Sequence, residues 1–233
     1  MSRDIKAILF DKDGTLLDFD ATWAPAYEKA AMWVARGDAK TAERFLEHGG
    51  MDLETRRATS GSLLAAGNSE EIASAWIAEG ANFTPRDLAA ELDRIFIDSM
   101  HDAVPLPGVP QAIEVLLERG FRLGVASSDS EAAIRAFLEG SGLAPKFEFV
   151  TGYDTGHGPK PEPGMVHGFA AAIGLPPSVI AVIGDNTHDI EMARAAGAGL
   201  TIGVLTGTSR RQDLEHLADV ILESAADLAG YFR

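Results

Sequence analysis

Two aspartates, Asp11 and Asp13, stand two positions apart around Lys12 and are followed by Gly14 and Thr15; a second acidic pair, Asp185 and Asp189, lies far downstream in GDNTHD. Carboxylates beside one pocket can divide labour, one staying ionised as nucleophile or metal ligand while another shares a proton. Read blandly, DKDGT is a polar turn, and Asp189 is a helix-start carboxylate that the helix dipole stabilises without a metal. Mg²⁺ takes oxygen ligands in near-octahedral geometry, usually one or two carboxylates and several waters. Asp11 and Asp185, joined by Asp189, would supply that set if their strands are neighbours. Ser127 closes RLGVAS, and Lys160 sits between Pro159 and Pro161. A hydroxyl and an ammonium are the donors a transferring phosphoryl oxygen needs as it gains charge, and the lysine would also offset carboxylate repulsion.

Most of these groups fall where a short apolar run ends. Runs at 5–10, 121–128, 147–152, 179–185 and 200–207 are apolar enough to be strands buried on both faces. Between them VPQAIEVLLERG, SEAAIRAFLEGSG, EPGMVHGFAAAIG and THDIEMARAAG carry apolar residues at spacings of three and four, several ending in the glycine expected beyond a helix C-terminus. This alternation predicts an α/β fold, an open and mostly parallel sheet with helices on both faces. Residues 19 to 100 break it with helix-like blocks near 22–36, 39–48, 52–66, 69–79 and 85–100 and no convincing buried strand. Thr84 as cap, Pro85 at the first helical position and the stripe Leu88, Leu92, Ile95 and Phe96 define the last block. PLPGVP at 105–110 then returns the chain to the α/β pattern. The expected organisation is a catalytic core at 1–18 and 105–233 with an inserted all-helical lid at 19–104, placed over the carboxyl end of the first strand, where parallel sheets bind ligands.

Composition narrows the chemistry. The chain has 233 residues, enough for a core with a smaller insert, and no cysteine, which excludes disulfides and thiol catalysis. Acidic residues outnumber basic ones 35 to 20, for a formal charge of −15 without a basic block, so phosphate-backbone binding is resisted and no nucleic-acid partner is expected. No apolar run is long enough to span a bilayer, and the opening residues lack the apolar core of a signal peptide, so a cytoplasmic protein is expected. A small anionic substrate stays compatible, because a local cation and a few backbone N–H groups reverse the field inside a pocket.

Four stretches in order, FDKDGTLLD at 10–18, VASS at 125–128, KPEP at 160–163 and GDNTHDIEMARAAG at 184–197, resemble the motifs of the haloacid dehalogenase-like hydrolase superfamily, and especially its phosphoglycolate phosphatase-like branch with a helical cap. The resemblance covers nearly the whole chain. It implies a Rossmann-like core, Asp11 as nucleophile and Mg²⁺ ligand, and Asp13 as general acid and then base, with its backbone carbonyl on the metal. By the same likeness Ser127 would hydrogen-bond the phosphoryl group, Lys160 would bridge nucleophile and phosphoryl oxygens, and Gly14 and Thr15 would cradle the phosphate. Asp185 would bind Mg²⁺ directly, with Asp189 helping directly or through water, while residues 12–20 would couple closure of the cap to the site. Two positions depart from the pattern. Lys12 stands where an apolar residue is more usual, and its side chain is expected to point away from the pocket with little effect on chemistry. Ser128 stands where Asn is common and would alter substrate contacts or loop rigidity.

Other residues carry weaker signals. His188, inside GDNTHD, would touch the rim of the site; His157 and His167 match no compact zinc ligand set. Arg56 and Arg57, with Thr55 and Ser60, could meet an anionic substrate tail, although exposed helical arginines are usually solvated. Trp23, Tyr27, Trp33 and Trp76 read as packing between helices rather than ligand stacking. The expected partner is a small phosphate monoester, phosphoglycolate first by resemblance. The alternatives are a phosphomutase with the same residues and, from another class, a non-enzymatic phosphometabolite-binding protein; oligomeric state is left open between monomer and dimer.

Overall fold

Ala7–Phe10 forms β1, and its alternation sends Ala7 and Leu9 into one hydrophobic cluster and Ile8 and Phe10 into another on the opposite face. A strand covered on both sides needs no polar positions, which is why it reads as a continuous apolar run. The computed structural model describes residues 4–100 and 103–233; residues 1–3 of the opening segment and 101–102 near the end of the predicted insert lie outside the described residues.

From β1 the chain enters α1 (Phe19–Val34), α2 (Ala39–His48), the short strands β2 (Met51–Asp52) and β3 (Arg57–Ala58), α3 (Leu63–Ala66), α4 (Ser69–Ala78) and α5 (Pro85–Met100). It then alternates through α6 (Val109–Glu118), β4 (Arg122–Ala126), α7 (Glu131–Gly140), β5 (Phe149–Thr151), α8 (Gly164–Ile173), β6 (Ile180–Gly184) and α9 (Thr187–Ala195). The last elements are β7 (Leu200–Val204), α10 (Arg211–Leu214), β8 (Val220–Leu222) and α11 (Leu228–Tyr231). The sheet order is β5-β4-β1-β6-β7-β8, with every pairing parallel. Met165, Phe169 and Met192 of α8 and α9 pack on one face, while Ile113, Leu116, Ile134 and Phe137 of α6 and α7 pack on the other.

The expected all-helical insert is corrected, and one strand of the sheet was not foreseen. Residues 52–66 are not one helix. The Asp52 carboxylate accepts the N–H groups of Glu54 and Thr55 at 2.9 Å each, closing a turn that lets β2 and β3 pair antiparallel, and Arg56 takes a left-handed φ of 56°. Only Leu63–Ala66 is helical there. The edge strand β8 was not foreseen: three apolar residues between Asp219 and Glu223 are too few for periodicity to distinguish a strand from a loop. By contrast α5 begins as expected, with Thr84 Oγ1 accepting the Asp87 N–H at 3.2 Å and Leu88, Leu92, Ile95 and Phe96 buried.

Candidate active site

β1 lies between β4 and β6, and Phe10 is in register with both Val125 and Ile183. Three adjacent strands therefore deliver Asp11, Ser127 and Asp185 to one edge of the sheet, at the point where its winding reverses. α9 starts immediately after β6, which places Asp189 in its first turn. One Asp189 oxygen accepts the Asn186 N–H at 3.1 Å in a capping box, so the helix-start reading holds. Its other oxygen accepts from Lys160 Nζ at 2.6 Å. The same ammonium donates to Asp11 Oδ1 at 2.6 Å, so Lys160 bridges the ends of β1 and α9.

Asp11, Asp185 and Asp189 are all buried, and each offers an oxygen within 4.8 Å of the others. Burial pushes the Asp11 carboxyl well above the usual range; Lys160 opposes the rise, while Asp189, Asp185 and Asp13 add to it. Asp185 is pushed up to about 7 by burial and then by Asp189. For Lys160 burial works against the charge, but Asp11 and Asp189 outweigh it and hold the ammonium protonated. A buried, oxygen-only set that resists full ionisation fits a small hard dication such as Mg²⁺. Asp13 contributes no carboxylate oxygen to this group; the likeness gave it a backbone carbonyl role.

A pH dependence follows. The folded value of Asp185 lies above its ordinary 3.8, so its contribution to stability is full below about pH 4 and lost as pH rises through about 7. A dication supplies the missing counter-charge and competes with those protons. The rise in Tm from a fixed Mg²⁺ concentration is therefore expected to be larger at about pH 8 than at about pH 5.5. Thermal melts at the two pH values measure it, and equal increments would argue against metal binding at these carboxylates.

Gly14 takes a φ of 75°, and a Cβ there would lie 2.6 Å from Gly207 Cα and 2.9 Å from Asp185 Cγ. Close approach binds the DKDGT loop to residues 206–208: Thr206 Oγ1 donates to the Gly14 carbonyl at 2.6 Å, and the Thr208 N–H donates to Asp185 Oδ2 at 2.7 Å. Neither threonine was foreseen as part of the site; the signal was the small-polar run TGTS just after a strand. Thr15 is fully buried, and among the described residues its Oγ1 has no hydrogen-bond partner.

Asp11, Asp13, Ser127, Ser128, Lys160 and His188 face a cleft that Trp23, Tyr27, Leu64, Asn68, Ile72 and Phe96 of the inserted helices line from the other side. Arg56 and Arg57 do not face it. Arg56 makes a bidentate pair with Glu28, both contacts 2.6 Å, and Arg57 pairs with Asp20 at 3.1 Å on the exposed hairpin, so neither stands at the cleft as a substrate contact. Trp76 does pack between helices, buried and stacked on Phe45, whereas Trp33 is exposed and stacks on Phe83 in the loop before α5, so the packing expectation does not hold for it. Trp23 and Tyr27 stack on each other at 5.2 Å and meet the edge of Phe96, yet Trp23 does more than pack: its Nε1 donates to Asp13 Oδ1 at 2.5 Å. Lys12 stays out of the cleft wall as expected, but it is not detached from the site, since its Nζ donates to Asp13 Oδ1 at 2.6 Å.

The family model for haloacid dehalogenase-like hydrolases matches residues 5–197. A probable phosphatase, IndB, of Dickeya dadantii is 30% identical over 227 residues, covering 96% of this chain and 91% of its own. A phosphoglycolate phosphatase of Rhodospirillum rubrum is 30% identical, covering 84% of this chain and 78% of its own. Among solved structures, CbbY from Rhodobacter sphaeroides in complex with phosphate superposes with a TM-score of 0.73 at 22% identity, covering 96% of each chain. Among the described residues, no helix is long and apolar enough to cross a membrane.

Proposed function

We propose that this chain, which belongs to the haloacid dehalogenase-like hydrolases and is a phosphatase, hydrolyses a small phosphate monoester in two steps through a phosphoryl group carried on Asp11, with Mg²⁺ held by Asp11, Asp185 and Asp189. The observation that carries the reading is the Lys160 bridge: one buried ammonium sits 2.6 Å from both Asp11 and Asp189 at the mouth of three parallel strands. There it can neutralise oxygens of a phosphoryl group as that group meets Asp11.

In the first step an Asp11 oxygen attacks phosphorus, the bond from phosphorus to the ester oxygen breaks, and Asp13 gives its proton to the departing alkoxide. In the second, Asp13 takes a proton from water, the water oxygen attacks phosphorus, and Asp11 leaves as a free carboxylate with inorganic phosphate released. Bound Mg²⁺ would neutralise phosphoryl oxygens and favour in-line approach. Ser127, buried and facing the cleft, is the hydroxyl donor to the phosphoryl group. Gly14 and Thr15 are buried away from the cleft wall, and their N–H groups donate to the carbonyls of Leu17 and Lys12, so no phosphate cradle is assigned to them. Residues 19–104 act as the cap over a core of residues 1–18 and 105–233; Trp23, Tyr27 and Phe96 form an apolar roof that keeps bulk water from the acyl phosphate.

Phosphoglycolate is the first substrate to test, because a relative at 30% identity carries that name. Phosphate release from a panel of small monoesters, with and without Mg²⁺, is expected to show selective, Mg²⁺-dependent turnover. Stable phosphorylation of the protein without phosphate release would move the reading to a mutase that passes the group to a sugar hydroxyl. The absence of both turnover and phosphorylation across the panel would count against the proposal.

A further inference from the structure

Lys12 is fully buried, and a buried ammonium must find partners or lose its charge. It finds them at the junction of core and insert. Its Nζ lies 2.6 Å from Asp13 Oδ1, 3.1 Å from Asp129 Oδ2, 3.4 Å from Met100 Sδ and 5.1 Å from the centre of the Trp23 ring. Asp13 and Asp129 follow β1 and β4, whereas Trp23 lies in α1 and Met100 ends α5. Well-packed apolar side chains are often no less stabilising than a buried ion pair, so packing alone does not account for a charge at this position.

The arrangement around Asp13 gives it an account. Oδ1 accepts two N–H donors, Lys12 Nζ and Trp23 Nε1, while among the described residues Oδ2 accepts only from the Ser127 hydroxyl, at 3.1 Å. Two donors aimed at Oδ1 leave no room for a proton there. A proton carried by Asp13 therefore sits on Oδ2, on the side of Ser127, which faces the cleft. We infer that Lys12 and Trp23 are positioning residues that jointly clamp Asp13 Oδ1, so that Oδ2 alone exchanges the proton with the leaving group and with water. Trp23 thereby serves the chemistry from the inserted helices. The inference rests on the reading of Asp13 as the acid and base: as the bond from phosphorus to the ester oxygen breaks and its electron pair goes to that oxygen, the Oδ2 proton follows.

The test compares kcat/KM, which reports events up to formation of the phosphorylated protein, for two esters. One is an alkyl phosphate that the wild type cleaves; the other is p-nitrophenyl phosphate, whose leaving group departs as a stable anion without a proton. Trp23→Phe keeps the stacking ring and removes the N–H; Lys12→Met keeps the length and removes the charge. Each is expected to lower kcat/KM for the alkyl ester about 10- to 100-fold while p-nitrophenyl phosphate changes less than about threefold. Lys12→Arg should recover part of the alkyl-ester rate. If Lys12→Met does not fold, pairing it with Asp129→Asn restores charge balance and is expected to give the same selective loss. Parallel losses on both esters would reduce the pair to a structural role and overturn the inference, as would no loss on either. Asp13→Asn separates the two levels of the argument. If it shows the selective loss and the Lys12 and Trp23 variants do not, the clamp fails and the acid assignment stands; if Asp13→Asn is unselective, or the wild type cleaves neither ester, both fall.

Discussion

Asp11→Asn is expected to abolish turnover, lowering kcat by about 10⁴- to 10⁶-fold, the scale seen when a covalent nucleophile is removed. The amide has the carboxylate's shape but cannot form an acyl phosphate. Folding should survive, because Lys160 keeps its 2.6 Å bond to Asp189 and a neutral group replaces a carboxyl that burial already makes hard to ionise. The metal-free variant is therefore expected to melt no lower than the wild type at neutral pH. The Tm increment from Mg²⁺ should shrink, since one of three clustered carboxylates is gone. Phosphate release, intact mass after exposure to substrate, and thermal melts together check the prediction. A variant retaining turnover within about tenfold of the wild type would remove Asp11 from the nucleophile's role.

The sheet was legible because strands buried on both faces leave continuous apolar runs, and Asp11, Ser127 and Asp185 were legible because each polar side chain ends such a run. Spacing alone could not bring them together; that needed the order β4-β1-β6. Asp189 shows why a capping role does not exhaust a carboxylate, with one oxygen capping α9 and the other accepting from Lys160. Residues 52–66 misled because their composition tolerates a helix while the Asp52 side chain, bonding its own neighbours, selects a hairpin. Arg56 and Arg57 looked like free cations only because their partners, Glu28 and Asp20, come from a different element. Trp23 and Asp129 escaped because their contacts, Trp23 on Asp13 and Asp129 on Lys12, join residues that no local pattern links. Lys12 is the neighbour of Asp13 in sequence, but that its side chain is buried and turned onto that carboxylate is set by the packing of core and inserted helices around it.

Lys160 is where stability and chemistry depend on the same two contacts. Lys160→Met leaves Asp11 and Asp189 buried without their shared counter-charge, a break that costs about 3–5 kcal/mol when one partner of a buried pair is removed. Without the ammonium that opposes the rise, Asp11 holds its proton still more tightly, and stability tied to a raised carboxyl value is present at low pH and lost as pH climbs through that value. The destabilisation is therefore expected to be larger at about pH 8 than at about pH 5.5, and Mg²⁺ should restore part of it by supplying positive charge to the same oxygens. Activity should not return with it. The ammonium is also the donor for phosphoryl oxygens as they gain charge, so kcat/KM is expected to stay down about 10²- to 10⁴-fold at saturating Mg²⁺. Lys160→Arg should recover more stability than rate, because a planar guanidinium keeps the charge but cannot place one nitrogen on both Asp11 and Asp189 as the single Nζ does. Melts across pH with and without Mg²⁺, beside kcat/KM for the same proteins, separate these effects; recovery of both stability and rate by Mg²⁺ would show that the lysine serves only as a counter-charge.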